Sequence, residues 1–148
     1  MVIGTALRRI AERVPAAQLR GRWAQLFARY RQFGATIPSG VEIAYRQTDL
    51  AIQKLHELAD GDGEQEPVCI QIDACDAYTR TSRPALIEAC EEHMPLMLKY
   101  HRMAYGGDDE FIMLWQGQVI DTGRNRFGVW QGAPLGMHGF CLGNIKLM

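Results

Sequence analysis

No stretch of this sequence approaches the ~18 consecutive apolar residues a membrane-spanning helix needs, so no membrane partner is expected. The opening residues, MVIGTALRRIAERV, lack a long apolar core and a small-residue cleavage site, and do not read as a secretory signal. Cysteine is sparse: four, at 69, 75, 90 and 141, with no CxxC spacing. That pattern argues for reduced, buried thiols in an intracellular protein, nuclear or cytoplasmic. A zinc site drawn from Cys69, Cys75, Cys90 and His93 is the metal alternative the cysteines leave open, on irregular spacing. Repeats and low-complexity tracts are lacking too, which excludes solenoids and disordered tails. His56, His93, His101 and His138 lack an acid or nucleophile at motif-like spacing and read as structural or surface residues.

What is present is a globular composition, 47% hydrophobic and 22% charged over 148 residues, enough for one ordinary domain or a piece of a larger one. The net charge of −1 hides an asymmetry. Residues 1–31 hold seven arginines (8, 9, 13, 20, 22, 29 and 31) against the single acid Glu12, so this stretch is +6 and the rest is −7. An arginine-rich lobe suits phosphate or nucleic-acid contact; the alternative is the solvated face of two helices.

Periodicity predicts helices first. Thr5 caps a helix over 6–14 with Leu7, Ile10 and Val14 on one face, and Pro15 ends it. A second helix covers 16–32, with Leu19, Trp23, Leu26, Phe27 and Tyr30 as its apolar stripe. A third spans 41–59 and runs into the acidic loop ADGDGEQEP. The pattern then changes. PVCIQID alternates Val68, Ile70 and Ile72, predicting a strand that ends at Asp73. Ser82 and Pro84 start a helix to 92, Pro95 starts another to Tyr105, and FIMLW and QVIDT flank Gln116-Gly117 as a β-hairpin. A turn, FGVWQGAPLG, leads to a last helix, MHGFCLGNIKLM. The class is α+β.

Two motifs carry chemistry. In DACDAY, Asp73 stands at a predicted strand end, five residues before the aromatic Tyr78; a carboxylate fixed there is the hard oxygen ligand Mg²⁺ prefers. In Gly128-Val129-Trp130-Gln131-Gly132-Ala133-Pro134-Leu135-Gly136, glycines let a backbone approach closely and Gln131 supplies paired hydrogen-bond groups. In this order the two resemble the first palm motif and the QG motif of reverse transcriptases of the non-LTR retrotransposon type. The surrounding segments resemble that family as well: VIGTALRRIAERV and RQFGATIPSGVEIAYR its fingers, TSRPALIEA and MPLMLKYHRMAY its next two helices.

The resemblance implies a partial right-hand polymerase, with fingers at 1–66 and palm at 67–148. Its implied function is RNA-directed DNA polymerisation, nucleotidyl transfer on an RNA template and DNA primer with dNTP. It also implies Asp73 as catalytic and Mg²⁺-binding, the Ala74 carbonyl as an accessory ligand, and Tyr78, Gln131, Gly132, Arg8 and Arg9 as nucleotide-binding. Asp76 stands where the family commonly has Asn. The family's paired-aspartate motif follows the QG helix, and the sequence reaches Met148 without it, so a catalytically incomplete fragment with weak or no Mg²⁺ binding is expected. YGGDDEF (105–111) offers a rival, a GGDEF-like or CRISPR-type palm nucleotide cyclase, in which Asp108 would share a metal with Asp73 across neighbouring strands. The motif order puts it instead in a loop leading to the hairpin. A non-catalytic nucleic-acid-binding relic is the other alternative.

Overall fold

The computed structural model describes residues 6–59, 68 and 70–147. The Thr5 cap, the acidic loop and Cys69 lie outside them. The class is α+β, as expected. Seven α-helices are described, α1 (Ala6–Gln18), α2 (Arg20–Arg29), α3 (Gly40–Ala59), α4 (Ala77–Arg80), α5 (Arg83–His93), α6 (Leu98–Tyr105) and α7 (Gly136–Gly143), with one antiparallel hairpin, β1 (Asp109–Trp115) and β2 (Gln118–Asn125).

Pro15 does not end the first helix. Proline removes one N–H from the helical ladder, yet Leu19 N–H still reaches the Pro15 carbonyl at 3.0 Å and Trp23 N–H the Leu19 carbonyl at 3.0 Å. The break falls at Leu19 instead, and the second helix is correspondingly shorter than its pattern suggested. What holds the bend is burial: α2 turns Trp23 and Phe27, both fully buried, into the core. They belong to one buried cluster with Leu86 and Cys90 of α5, Tyr105 of α6, and Leu142 of α7.

The start of α5 follows its sequence signal, whereas the short α4 was not expected. Ser82 caps α5, its hydroxyl accepting the Ala85 N–H, with proline in the first turn. Helix α7 forms despite its glycines because α5 needs them: a Cβ on Gly139 would stand 3.1 Å from both Leu86 Cδ1 and Val129 Cγ1. The hairpin turns on Gln116 and Gly117, both at positive φ, the pairing a two-residue turn between twisted strands requires. Its register runs from Asp109 opposite Asn125 to Trp115 opposite Gln118, with an irregularity between Met113 and Leu114.

The expected strand before Asp73 is not formed: residues 68 and 70–73 are irregular, with Val68, Ile70 and Ile72 80%, 79% and 88% exposed. Alternation supplies a face, but a strand also needs a ladder partner and an apolar surface to cover that face. The two described strands pair only with each other.

Two histidines sit in the core. His138 lies against both Trp23 and Phe27, at ring separations of 4.9 and 6.0 Å, and His101 is anchored by Nδ1 to the Met97 carbonyl at 3.1 Å. Burial lowers both to about 4 from an ordinary 6.5. The folded state therefore prefers neutral imidazoles. Their contribution is fully present above the unfolded value of 6.5 and is lost as pH falls toward 4, at about 1.4 kcal/mol per pH unit for each. Denaturant unfolding across that range should show His138→Gln reducing the slope by close to one proton; an unchanged slope would remove His138 from the account.

Candidate functional site

The loop 128–136 is built by contacts to both sides of the chain. Gly128 N–H donates to the Thr81 carbonyl and Val129 N–H to the Tyr78 carbonyl, both at 2.8 Å, tying the loop to α4 and the turn after it. Gly128 has φ +79°, and a Cβ there would meet the Thr79 carbonyl at 2.5 Å, so glycine is demanded by conformation and by space together. Gly132 also has φ +80°, with open space around it. Val129 and Leu135 are buried while Gln131 and Gly132 between them are exposed. The Gln131 side chain makes no hydrogen bond among the described residues, so its amide faces outward from a firmly held loop.

Tyr78, on α4, stacks on Phe140 of α7 at 4.9 Å and 18°, and burial raises its phenol above the usual value. Behind it a cavity of about 210 Å³ is lined by Gln32, Ala35, Met137, Phe140 and Cys141 among others. The two sequence motifs are thus brought together through Tyr78. Asp73 and Ala74 are not: both are exposed, on irregular chain ahead of α4, and Asp73 has no ion pair among the described residues. Asp76 follows at φ 53°, its carbonyl accepting the Thr79 and Arg80 N–H groups, a structural role.

Arg8 and Arg9 part company. Arg8 Nε donates to Glu12 at 2.6 Å and its guanidinium lies over the Trp130 ring of the loop. Arg9 is exposed and has no ion-pair partner among the described residues. Two organising residues escaped the sequence reading. Glu12, fully buried, also accepts the Tyr100 hydroxyl at 2.5 Å and the Leu135 N–H at 3.3 Å. Burial and that bond to Glu12 hold the Tyr100 phenol well above its ordinary value. Arg83, also buried, donates to the Gly128, Gly107 and Asn125 carbonyls at 2.9, 3.1 and 3.2 Å and pairs with Asp109 at 2.5 Å. A lone acid among seven arginines was the signal for the first; nothing in the spacing signalled the second.

The acids of YGGDDEF are taken up by arginines, Asp109 by Arg83 and Asp108 by Arg126 at 3.0 Å. The segment leads from α6 into β1, but only Gly106, Gly107 and Asp108 form the expected loop; Tyr105 ends α6 and Asp109–Phe111 already belong to the strand. Among the described residues no group of three His, Cys, Asp or Glu side chains could hold a metal ion. Cys75 is exposed, and Cys90 is buried with its thiol on the Met94 carbonyl and raised to about 11 by burial. Asp73 with the Ala74 carbonyl does not make a two-metal site, which needs several oxygen ligands to balance the charge, so no chemical step is assigned to a metal here. The loop thus presents the exposed Gln131 and Gly132 on a backbone held by Tyr78 and Thr81. No helix among the described residues is long and apolar enough to cross a membrane.

Compared with known protein families, curated proteins and solved structures, the chain gives no match.

The neighbouring arginines provide a direct test of this geometry. Arg8→Ala removes the charge partner of a buried carboxylate and should cost about 2–4 kcal/mol in urea unfolding. Arg9→Ala, at an exposed site, should stay within about 0.5 kcal/mol. Equal effects would contradict the placement of Arg8.

Proposed function

We propose that the chain is the fingers and palm portion of an RNA-directed DNA polymerase of the non-LTR type, contributing nucleotide and template contact and incapable of polymerisation as this polypeptide. The observation that supports it most is the meeting of Tyr78 with the 128–140 segment. Two segments that resemble the first palm motif and the QG motif are joined by backbone hydrogen bonds and a stacked ring pair, although some 50 residues apart. Gln131 and Gly132 are then the nucleotide-facing residues. Arg9 takes the phosphate-contacting part, since Arg8 is occupied by Glu12 and Trp130.

The relic reading, nucleic-acid binding without catalysis, draws on the arginines. The arginines and lysines in ion pairs among the described residues are Arg8, Arg83, Arg102, Arg124, Arg126 and Lys146. Arg9, Arg13, Arg20, Arg22, Arg29 and Arg31 are exposed and in none of them. Arg9 and Arg13 are one turn apart on α1, Arg22 and Arg29 two turns apart on α2. The cyclase reading gains no such support, because Asp73 lies on no described strand and Asp108 is paired with Arg126.

Primer extension on an RNA template with Mg²⁺ or Mn²⁺ should be undetectable, since positioned metal and charge supply most of the rate in phosphoryl transfer. Extension that Asp73→Ala abolishes would overturn that expectation. Binding to a template–primer duplex should still occur and weaken with salt. Replacing Arg9, Arg13 and Arg20 by Gln should flatten the log K against log salt slope by about 2–3 units. A photoreactive base at the templating position should cross-link to residues 128–136. Cross-links confined to α1 and α2 would favour the relic, and no binding at low salt would sink both readings.

A further inference from the structure

Between α2 and the connection from α5 to α6 lies a cavity of about 320 Å³, a volume within the range of small-ligand sites. One wall is a single face of α2, where Arg22, Gln25, Leu26 and Arg29 recur at helical spacing. The opposite wall is the run from His93 to Leu96. The walls are set against each other by one residue pair. The Tyr30 hydroxyl, just past the end of α2, lies 3.3 Å from His93 Nε2, and the two rings are 5.3 Å apart. Burial of Trp23 and Phe27 from α2, and of Met94 from the far wall, anchors both sides in the core.

The charge in this lining is of one sign. Arg22 and Arg29 are exposed and in no ion pair among the described residues, and no carboxylate lines the cavity with them. Arg29 lies 5.8 Å from the centre of the Tyr30 ring, a contact that uses none of its N–H donors. The Gln25 amide and His93 Nδ1 also lack a hydrogen-bond partner among the described residues. Glu92, the nearest acid along the chain, approaches only His93 Nε2, at 3.6 Å. The other two described cavities differ. One sets Arg83, Arg102 and Arg126 against Glu88, Glu91 and Asp108, and the other, behind Tyr78, has no charged side chain. Two guanidiniums without an internal acceptor, an amide and an imidazole nitrogen suit phosphate oxygens, which arginine engages bidentately. Beside them Leu26, Met94 and Leu96 form an apolar patch, with Leu96 65% exposed. A bare ion would leave that patch wet, whereas an ester with an apolar body covers it.

We propose that this cavity binds a small organic phosphate, the phosphate held by Arg22 and Arg29 and the apolar body lying against Leu26 and Leu96. For a probe the size of phenyl phosphate, a dissociation constant of about 0.1–1 mM is expected. The inference is independent of the polymerase reading, whose salt dependence is tested at Arg9, Arg13 and Arg20.

Heteronuclear NMR of the whole chain at low salt, titrated with phenyl phosphate, should show saturable shifts confined to residues 22–30 and 93–96. Inorganic phosphate should move the same residues but bind at least ~5-fold more weakly. Arg22→Gln and Arg29→Gln, both at exposed positions, should each weaken phenyl phosphate at least ~10-fold. Leu96→Ser should close most of the gap between the two probes. Arg46→Gln, on α3 and outside every described cavity, should change binding by no more than ~2-fold. Shifts that do not saturate, or that Arg46→Gln reduces as much as Arg22→Gln does, would overturn the proposal. Equal affinity for the two probes would reduce the site to a bare ion site and overturn it too. So would an oligonucleotide without terminal phosphates that binds through Arg22 and Arg29 where phenyl phosphate does not, which would give these arginines to a nucleic-acid backbone.

Discussion

A carboxylate with no solvent exposure persists in a fold only where donors replace its lost water, and Glu12 has three of them from three parts of the chain. Arg8 comes from its own helix, the Tyr100 hydroxyl from α6, and the Leu135 N–H from the residue that precedes α7. The last is a donor at a helix start, where backbone N–H groups lack intrahelical acceptors and a negative charge is favoured. One side chain thereby fixes α1 against α6 and α7 and neutralises the one arginine that stacks on the 128–136 loop. The arginine-rich segment and the glycine-rich loop are consequently parts of one core.

Arg83 performs the complementary task on the other side. Its planar fork joins carbonyls from three separated turns, at Gly107, Asn125 and Gly128, and pairs with Asp109 at the base of the hairpin. A point charge with three rotatable donors could not span that set in one geometry. Between Glu12 and Arg83 the loop is held at both ends, while Gln131 and Gly132 are left outward. A binding loop needs this division, with backbone fixed and recognition groups free to meet a ligand.

The helices were legible because each carries its own signal within a dozen residues: Ser82 and Pro84 at the start of α5, Pro95 before α6, the Trp23–Phe27 spacing on α2. The hairpin was equally local, its turn chemistry enclosed by its two strands. Where sequence reasoning failed, the deciding interaction lay far along the chain or outside it. Propensity, which is local, reads Pro15 as a terminus, whereas α1 runs on to Gln18 and the break falls at Leu19. The strand before Asp73 was expected from alternation alone, and alternation does not name a partner. Arg8 and Arg9 are indistinguishable as letters; one turns inward only because Glu12 stands one turn further along. In the same way the paired acids of YGGDDEF look metal-binding until Arg83 and Arg126, 26 and 18 residues distant, are seen to hold them.

The exposed apolar residues of α3 and those at 68, 70 and 72 share a physical cause. Each has a clean pattern for its intended structure, and each lacks a covering layer among the described residues. A helix survives this condition because its hydrogen bonds are internal, so α3 is formed although it buries almost nothing. A strand does not survive it, because its hydrogen bonds belong to a neighbour, so residues 68 and 70–72 are irregular. The contrast bears directly on Asp73. A carboxylate becomes a usable metal ligand when the strand under it is held, and the strand under Asp73 would be held by whatever supplies its ladder. Asp73 therefore stands on irregular chain, while the Tyr78–Phe140 pair and the 128–136 loop, held by helices and a clamped backbone, are ordered without a β-partner.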